Sequence, residues 1–258
     1  PKDVNEDIAP LLQREAEACG LTLSAEQCAA FSQYRALVLD WNEKVNLTAI
    51  TEPEAFVCRH FLDSLWPMRW LSLAGKACID VGTGAGFPGL ALKLACEEMQ
   101  LTLLDSLQKR LRVLDAMCGA LGVQAHLVHA RAEEGGHAEA LRESFDYAFA
   151  RAVAPLRVLC EYCLPFVRVG GSFCAWKGPQ MEEEWTQAKR ALSLLGGELV
   201  RREEYALPDG SGRTFLEFRK VRPTPQKYPR PSAKLKKHRF EFLFSFFYFN
   251  QKAPKPEG

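Results

Sequence analysis

Asp80 closes the apolar run Cys78-Ile79-Asp80-Val81, and Gly82, Gly84, Gly86 and Gly89 follow it within nine residues. An apolar run, a glycine-dense turn and then Leu90, Leu92 and Leu94 read as strand, tight turn and helix, the place where open α/β sheets bind ligands. Glycines let the backbone turn sharply and come close to a ligand with no Cβ in the way. Where a dinucleotide fingerprint has its third glycine, this chain has Phe87. That departure, with Asp80 two residues ahead of the first glycine, favours S-adenosylmethionine over a nicotinamide dinucleotide and methyl transfer over hydride transfer.

Further residues fall at the ends of later apolar runs. Asp105 lies 23 residues after Gly82, an offset at which a carboxylate accepts hydrogen bonds from both ribose hydroxyls of an adenosine. Ser106 and Leu107 start the next helix and offer free backbone N–H groups. The competing reading is that Asp105 simply caps that helix. Ala132 and Glu133, after the third strand, are candidates for reading the adenine edge; equally, Glu133 and Glu134 are charges that suit a helix start. Arg151 arrives at the tip of the fourth strand. No Asn/Asp-Pro-Pro-aromatic motif for methylating an exocyclic amine occurs, and no cysteine adjoins a proline for attack on a pyrimidine. An acceptor with a free lone pair, such as guanine N7, needs no general base, so positioning and charge stabilisation suffice. Arg151 then pairs with a cofactor carboxylate or with guanine O6/N7. Lys177 stands on the same rim after the fifth strand, and Arg131, Arg151, Lys177 and Arg213 together are expected to line a cationic cleft for RNA phosphate.

These residues need a sheet to hold them. From residue 77 onward strand-like and helix-like stretches alternate, with strands expected at 77–81, 101–105, 125–129, 146–150, 172–176, 199–206 and 213–220. Helices are expected at 106–119, 154–167 and 181–195. Strands separated by helix-length segments imply right-handed crossovers and a parallel sheet. The last two are joined through Pro208-Asp209-Gly210 and should pair antiparallel. The expected fold class is α/β, and seven strands with a terminal antiparallel pair resemble a Rossmann-like class I methyltransferase, with a mainly parallel sheet and helices on both faces. A small helical subdomain over residues 1–72 precedes the methyltransferase domain at 73–221, and a basic, proline-rich and aromatic tail covers 222–258. In the first part Ser24-x-x-Gln27 is a capping box and Pro53 sits in the first turn of another helix.

Composition narrows the classes. The chain has 258 residues, 47% of them apolar, enough for one large α/β domain with an appendage, and no apolar run is long enough to cross a bilayer. Net charge is +1, but the stretch from Arg219 to Arg239 holds nine Lys or Arg and no acid. A basic segment on an otherwise acidic chain points to a polyanionic partner or to a solvated tail. Nine cysteines, mostly within apolar patterns, read as small core residues of a reducing compartment. Cys160-x-x-Cys163 lacks a second pair or a nearby histidine, so it reads as two thiols on one buried helix face, and no metal site is expected. Residues 240–249 are mostly aromatic and alternate at period two.

The motifs Trp41-Asn42-x-Lys44-Val45-Asn46-Leu47-Thr48, Arg59-His60-Phe61-Leu62-Asp63-Ser64-Leu65 and Asp80 to Gly89 come first. Arg131-Ala132-Glu133, Arg151 to Leu156, Lys177-Gly178 and Tyr228-Pro229-Arg230 follow. Together they resemble the GidB/RsmG family of small-subunit (16S) rRNA guanine-N7 methyltransferases over roughly residues 7–231. The resemblance implies methyl transfer from S-adenosylmethionine to N7 of a guanine in the 530 loop, and small-subunit rRNA or a ribosomal subunit as partner. It implies that Gly82, Gly84 and Phe87 frame the cofactor, Asp105 to Leu107 its ribose side, Ala132 and Glu133 its adenine, and Arg151 its methionine end or the target base. Arg151 and Lys177 become the catalytic candidates, and His60, Arg131, Lys177 and Arg213 face the RNA. It also implies the bacterial cytoplasm, or an organelle of bacterial ancestry. The basic and aromatic continuation after Arg230 departs from the family pattern. The alternatives carried with this reading are a non-catalytic rRNA-binding module and a nucleotide-dependent oxidoreductase.

Overall fold

The computed structural model describes residues 6–151, 154–179, 181–233 and 235. Ala152, Val153 and the aromatic run 240–249 lie outside the described residues.

Helix α1 (Ala9–Ala18) is followed by α2 (Ala25–Asn42). The expected capping box opens α2, with the Ser24 hydroxyl accepting from Gln27 N and the Gln27 side chain accepting from Ser24 N. Pro53 starts α3 (Pro53–Phe56), and the chain continues through a π-helical turn (Val57–Leu62), α4 (Asp63–Leu65) and a 3₁₀ turn (Trp66–Arg69). A π turn inside a helix is a feature that often marks functional sites; here it carries Arg59 and His60.

The rest alternates as β1 (Ala77–Val81), α5 (Gly89–Ala95), β2 (Gln100–Asp105), α6 (Gln108–Leu121), β3 (His126–His129), α7 (Ala132–Gly135), β4 (Phe145–Arg151), α8 (Leu156–Cys163), β5 (Val167–Lys177), α9 (Glu182–Leu194), β6 (Gly197–Ala206) and β7 (Gly212–Lys220). The strands form one sheet in the order β3-β2-β1-β4-β5-β7-β6. Neighbours among β1 to β5 run parallel, and β7 pairs antiparallel with β5 and with β6. This is the expected seven-stranded Rossmann-like architecture.

Period-two alternation sends successive side chains to two separate cores. Cys78, Leu101, Leu103, Phe149, Cys174, Trp176 and Phe215 pack with α1, α2, α5 and α6. Ile79, Val81, Leu104, Ala148, Ala150, Phe173, Ala175, Leu216 and Phe218 pack with α8 and α9 on the other face. Cys160 and Cys163 belong to the second core and are fully buried, and the cysteines are free thiols.

Most boundaries differ by one or two residues, and three of the differences have a visible cause. Helix α6 starts at Gln108 rather than 106, because Asp105 turns its side chain onto the backbone and Leu107 takes the N-cap position. The helix expected at 154–167 ends at Cys163, since Pro165 allows a short 3₁₀ turn there. Strand β5 begins at Val167, five residues early, where the β4 register shifts between Phe145 and Tyr147 at the Gly170-Gly171 pair.

Residues 221–231 have no regular structure, yet side chains lace them to the α7–β4 loop and to α8. Arg142 donates to the carbonyls of Gly136, Thr224 and Tyr228 at 2.7–2.9 Å. Arg230 forks onto the buried Glu161 at 2.9 and 2.8 Å, and its backbone N–H adds a third bond at 2.7 Å.

Candidate functional site

The parallel strands deliver Asp80, Asp105, Arg131, Arg151 and Lys177 to the carboxyl rim of the sheet, and β7, running the other way, starts there with Arg213. The glycine turn sits over β1. Its backbone is pinned from the preceding helices: Tyr34 of α2 donates to Ala85 O at 2.7 Å. Burial keeps that phenol protonated by pushing its pKa well up. A Cβ at Gly86, which sits at φ +98°, would lie 2.5 Å from the Tyr34 hydroxyl. Gly84 differs: its φ is +59°, and a Cβ there would meet nothing within 4 Å. The turn is packed tightly beneath and open above Gly84.

Asp80 is buried under this turn. Its Oδ2 accepts from Thr83 Oγ1 and Gly89 N, both at 2.8 Å, while Oδ1 has no partner among the described residues. Buried polar atoms are nearly always paired, so this acceptor fits a donor brought by a ligand. Burial pushes the Asp80 carboxyl up to about 6, against the pull of the Gly89 and Thr83 donors.

Asp105 does not cap α6 with its side chain. Its Oδ1 accepts from Leu107 N at 2.9 Å and its Oδ2 from Gly84 N at 3.1 Å, so the carboxylate bridges the glycine turn and the α6 start. Ser106 accepts from His129 through its carbonyl, and Leu107 presents an apolar side chain 51% exposed beside that carboxylate. Ala132 and Glu133 open α7, and Glu133 accepts from the Ser232 hydroxyl of the laced segment. An open space over Gly84, an orphaned acceptor and a fixed carboxylate suit a ligand with an adenosyl group and a cationic end.

Arg151 is the best-connected group of the rim. Its Nη1 donates to the carbonyls of Arg59 (3.0 Å) and His60 (3.4 Å), to Ser64 Oγ (3.4 Å) and to Asp63 Oδ2 (3.3 Å), and its Nη2 donates to His60 Nδ1 at 3.1 Å. The guanidinium also lies 5.1 Å from the centre of the Phe87 ring, on which His60 stacks at 4.4 Å and 2°. Since Arg is only a donor, His60 Nδ1 accepts and Nε2–H donates to Thr48 Oγ1 at 2.8 Å. Asn42 folds the loop that places Thr48: its Oδ1 accepts from Leu47 N and Thr48 N, and its Nδ2 donates to Thr48 O. The polar Trp41–Thr48 stretch is thus a bracket for His60, and His60 a bracket for Arg151.

Burial, then the Arg151 charge, drives the His60 pKa down from 6.5 to about 3. The unfolded chain therefore binds this proton first, and neutral His60 contributes stability that is complete above pH 6.5 and is lost as pH falls toward 3. Asp80 acts oppositely, because the folded state holds its proton up to about 6 and the unfolded chain releases it near 3.8. Between pH 4 and 6 the two nearly offset. The expected result is that His60→Asn steepens the loss of stability as pH rises from 4 to 6, by up to one proton relative to wild type. Denaturant titrations at several pH values check this, and parallel curves would refute it.

Two expected members of the cationic cleft behave differently. Lys177 is nearly buried and already neutralised, 2.7 Å from Glu184 and donating to Ala154 O at 3.2 Å. Arg131 is exposed at the end of β3, three strand positions from β4, and makes no described contact with the other three. Arg151 and Arg213 do come together, through Asp63, whose Oδ2 lies 3.3 and 3.5 Å from them. The sequence reading did not single out Asp63, Thr48 or Asn42 as functional; their signal was membership of the two motifs before β1. Arg59, next in that motif, forms a 2.6 Å ion pair with Asp209 in the β6–β7 turn.

Among the described residues no group of His, Cys, Asp or Glu is arranged to hold a metal, and no helix is long and apolar enough to cross a membrane. In fold the chain is similar to the C9 mutein of the Thermus thermophilus branched-chain polyamine synthase, solved with N4-aminopropylspermidine and 5′-methylthioadenosine. The TM-score is 0.54 at 16% identity, over 74% of this chain and 65% of that one. A methyltransferase from Pyrococcus furiosus gives a TM-score of 0.50 at 17% identity, over 74% and 98%. In sequence, the ribosomal RNA small subunit methyltransferase G of Alkaliphilus metalliredigens is 46% identical over 223 residues, 85% of this chain and 93% of that protein. The family model described as rRNA small subunit methyltransferase G matches residues 27–207, from the first turn of α2 to the end of β6. That span holds the bracket that fixes Arg151 and, apart from Arg213, the rim residues around it, and the chain belongs to the GidB family.

Proposed function

We propose that this protein transfers the methyl group of S-adenosylmethionine to N7 of a guanine in the 530 loop of small-subunit (16S) rRNA. What supports the reading most directly is the state of the rim. The imidazole nearest Arg151 is buried with both nitrogens engaged, so the residues around the cleft offer positioning and charge rather than a free base. Guanine N7 carries its lone pair in the ring plane and needs no deprotonation, so orientation and electrostatics can carry the reaction.

The cofactor, when bound, supplies an electrophilic methyl on a sulfonium. Asp105 takes the ribose hydroxyls, its plane already set by Gly84 and Leu107. Leu107 and the Ala132-Glu133 turn flank the adenine. Asp80, whose Oδ1 has no partner among the described residues, would hold the cationic methionine end, and the open side of Gly84 would leave room for the chain between. Phe87, held between Tyr34 and His60, forms a wall beside the methyl donor. Arg151 and Arg213 orient the incoming guanine or the cofactor carboxylate. Lys177 has a supporting place in this reading, since Glu184 neutralises it; Arg131, exposed after β3, meets phosphate further out. Such a substrate places the protein in the cytoplasm, where ribosomes are assembled.

Incubation with methyl-labelled S-adenosylmethionine and small subunits lacking the modification, followed by nucleoside mass spectrometry, should yield 7-methylguanosine. Running naked 16S rRNA in parallel identifies the preferred form. No incorporation, or label on another atom, overturns the proposal.

A further inference from the structure

Asp63 is 3% exposed and lies outside the Rossmann sheet, at the start of α4, yet three strands converge on its carboxylate. Arg151 of β4 and Arg213 of β7 approach Oδ2, and the Tyr205 hydroxyl of β6 donates to Oδ1 at 2.8 Å. The backbone is fixed as well: Trp176 Nε1 of β5 donates to Asp63 O at 2.8 Å. Tyr205 is itself clamped, its ring stacked on Trp66 at 4.5 Å and 8°, with Arg69 over the indole at 3.8 Å. The residue thus carries one negative charge between two guanidiniums that reach the rim from strands separated by β5.

We propose that Asp63 is a positioning residue for methyl transfer: one carboxylate shared by Arg151 and Arg213 fixes both guanidiniums and cancels one of their two charges. The consequence is a rim with direction rather than raw attraction. Without the shared carboxylate the two cations repel each other and lose their common anchor, but the cleft gains a net positive charge toward RNA. Accuracy and affinity then move in opposite senses. A carboxylate that merely supported the fold would move them together.

This inference rests on the methyltransferase reading, and the experiment separates the two. Wild-type turnover on small subunits is measured first; its absence defeats the reading itself. Asp63→Asn keeps the shape and an acceptor for Tyr205 while removing the charge. The expected result is a kcat lower by on the order of 100-fold, the cost of misplacing a reacting group by about an ångström. Meanwhile KM for the rRNA substrate stays equal or falls. The salt dependence of rRNA binding steepens by about 0.7–0.9 in log–log slope, one further phosphate neutralised. Tyr205→Phe, which removes a single donor and no charge, should lower kcat less and leave the salt slope unchanged. Thermal melting confirms folding of both variants. If Asp63→Asn turns over like wild type, or loses kcat and rRNA affinity together with an unaltered salt slope, the proposal is overturned. Should Asp63→Asn not fold, Tyr205→Phe decides: wild-type kcat there also overturns it.

Discussion

Arg151→Ala reduces methyl transfer by on the order of 10²–10³-fold, the range for removing one preorganised donor from a reaction centre. The effect on folding is smaller. Asp63 keeps Arg213 and Tyr205, and the His60 carbonyl keeps the Ser64 hydroxyl, so the loss of stability is about 1–3 kcal/mol. The same variant says which end of the reaction Arg151 serves. If it grips the cofactor carboxylate, affinity for S-adenosylhomocysteine falls with the rate; if it orients guanine, the affinity holds and kcat alone falls. Turnover at the wild-type level would remove Arg151 from the site.

Asp105→Ala weakens S-adenosylhomocysteine binding by about 1–3 kcal/mol, because the ribose hydroxyls and the N–H groups of Gly84 and Leu107 lose their common acceptor. Asp105→Asn retains the shape and one acceptor and should fall between. Calorimetric titration measures both, and an unchanged dissociation constant for the alanine variant would exclude Asp105 from the cofactor site. Because Asp105 and Arg151 cap β2 and β4, on either side of β1, and both act electrostatically on Asp80, the two substitutions probe one cleft from opposite walls.

The sheet was readable because its signals are local. Most strands announce themselves by a short run rich in apolar residues, a crossover by helical spacing, and the final hairpin by Pro208-Asp209-Gly210. The glycine turn, too, is spelled out in consecutive letters. What could not be read is pairing at long separation. Arg151 finds Asp63 across 88 residues, and Tyr205 finds it across 142. The arginines announced a cationic rim, but nothing near Arg213 tells of a buried acid that joins it to Arg151. Lys177 shows the same limit from the other side. Its place on the rim was clear from the end of β5, whereas its neutralisation depends on how α9 packs Glu184 back against it. Arg131 was grouped with the others by its position at a strand end, and the strand order then set it apart.

Glu161 is enclosed within α8, and the guanidinium that satisfies it is translated 69 residues later. A chain without Arg230 would leave that acid without its counter-charge, which costs several kilocalories per mole if the acid stays buried and ionised. Arg230 therefore makes the irregular segment after β7 a working part of the α8 layer, and its replacement by alanine should cost the fold more than loss of an exposed arginine would.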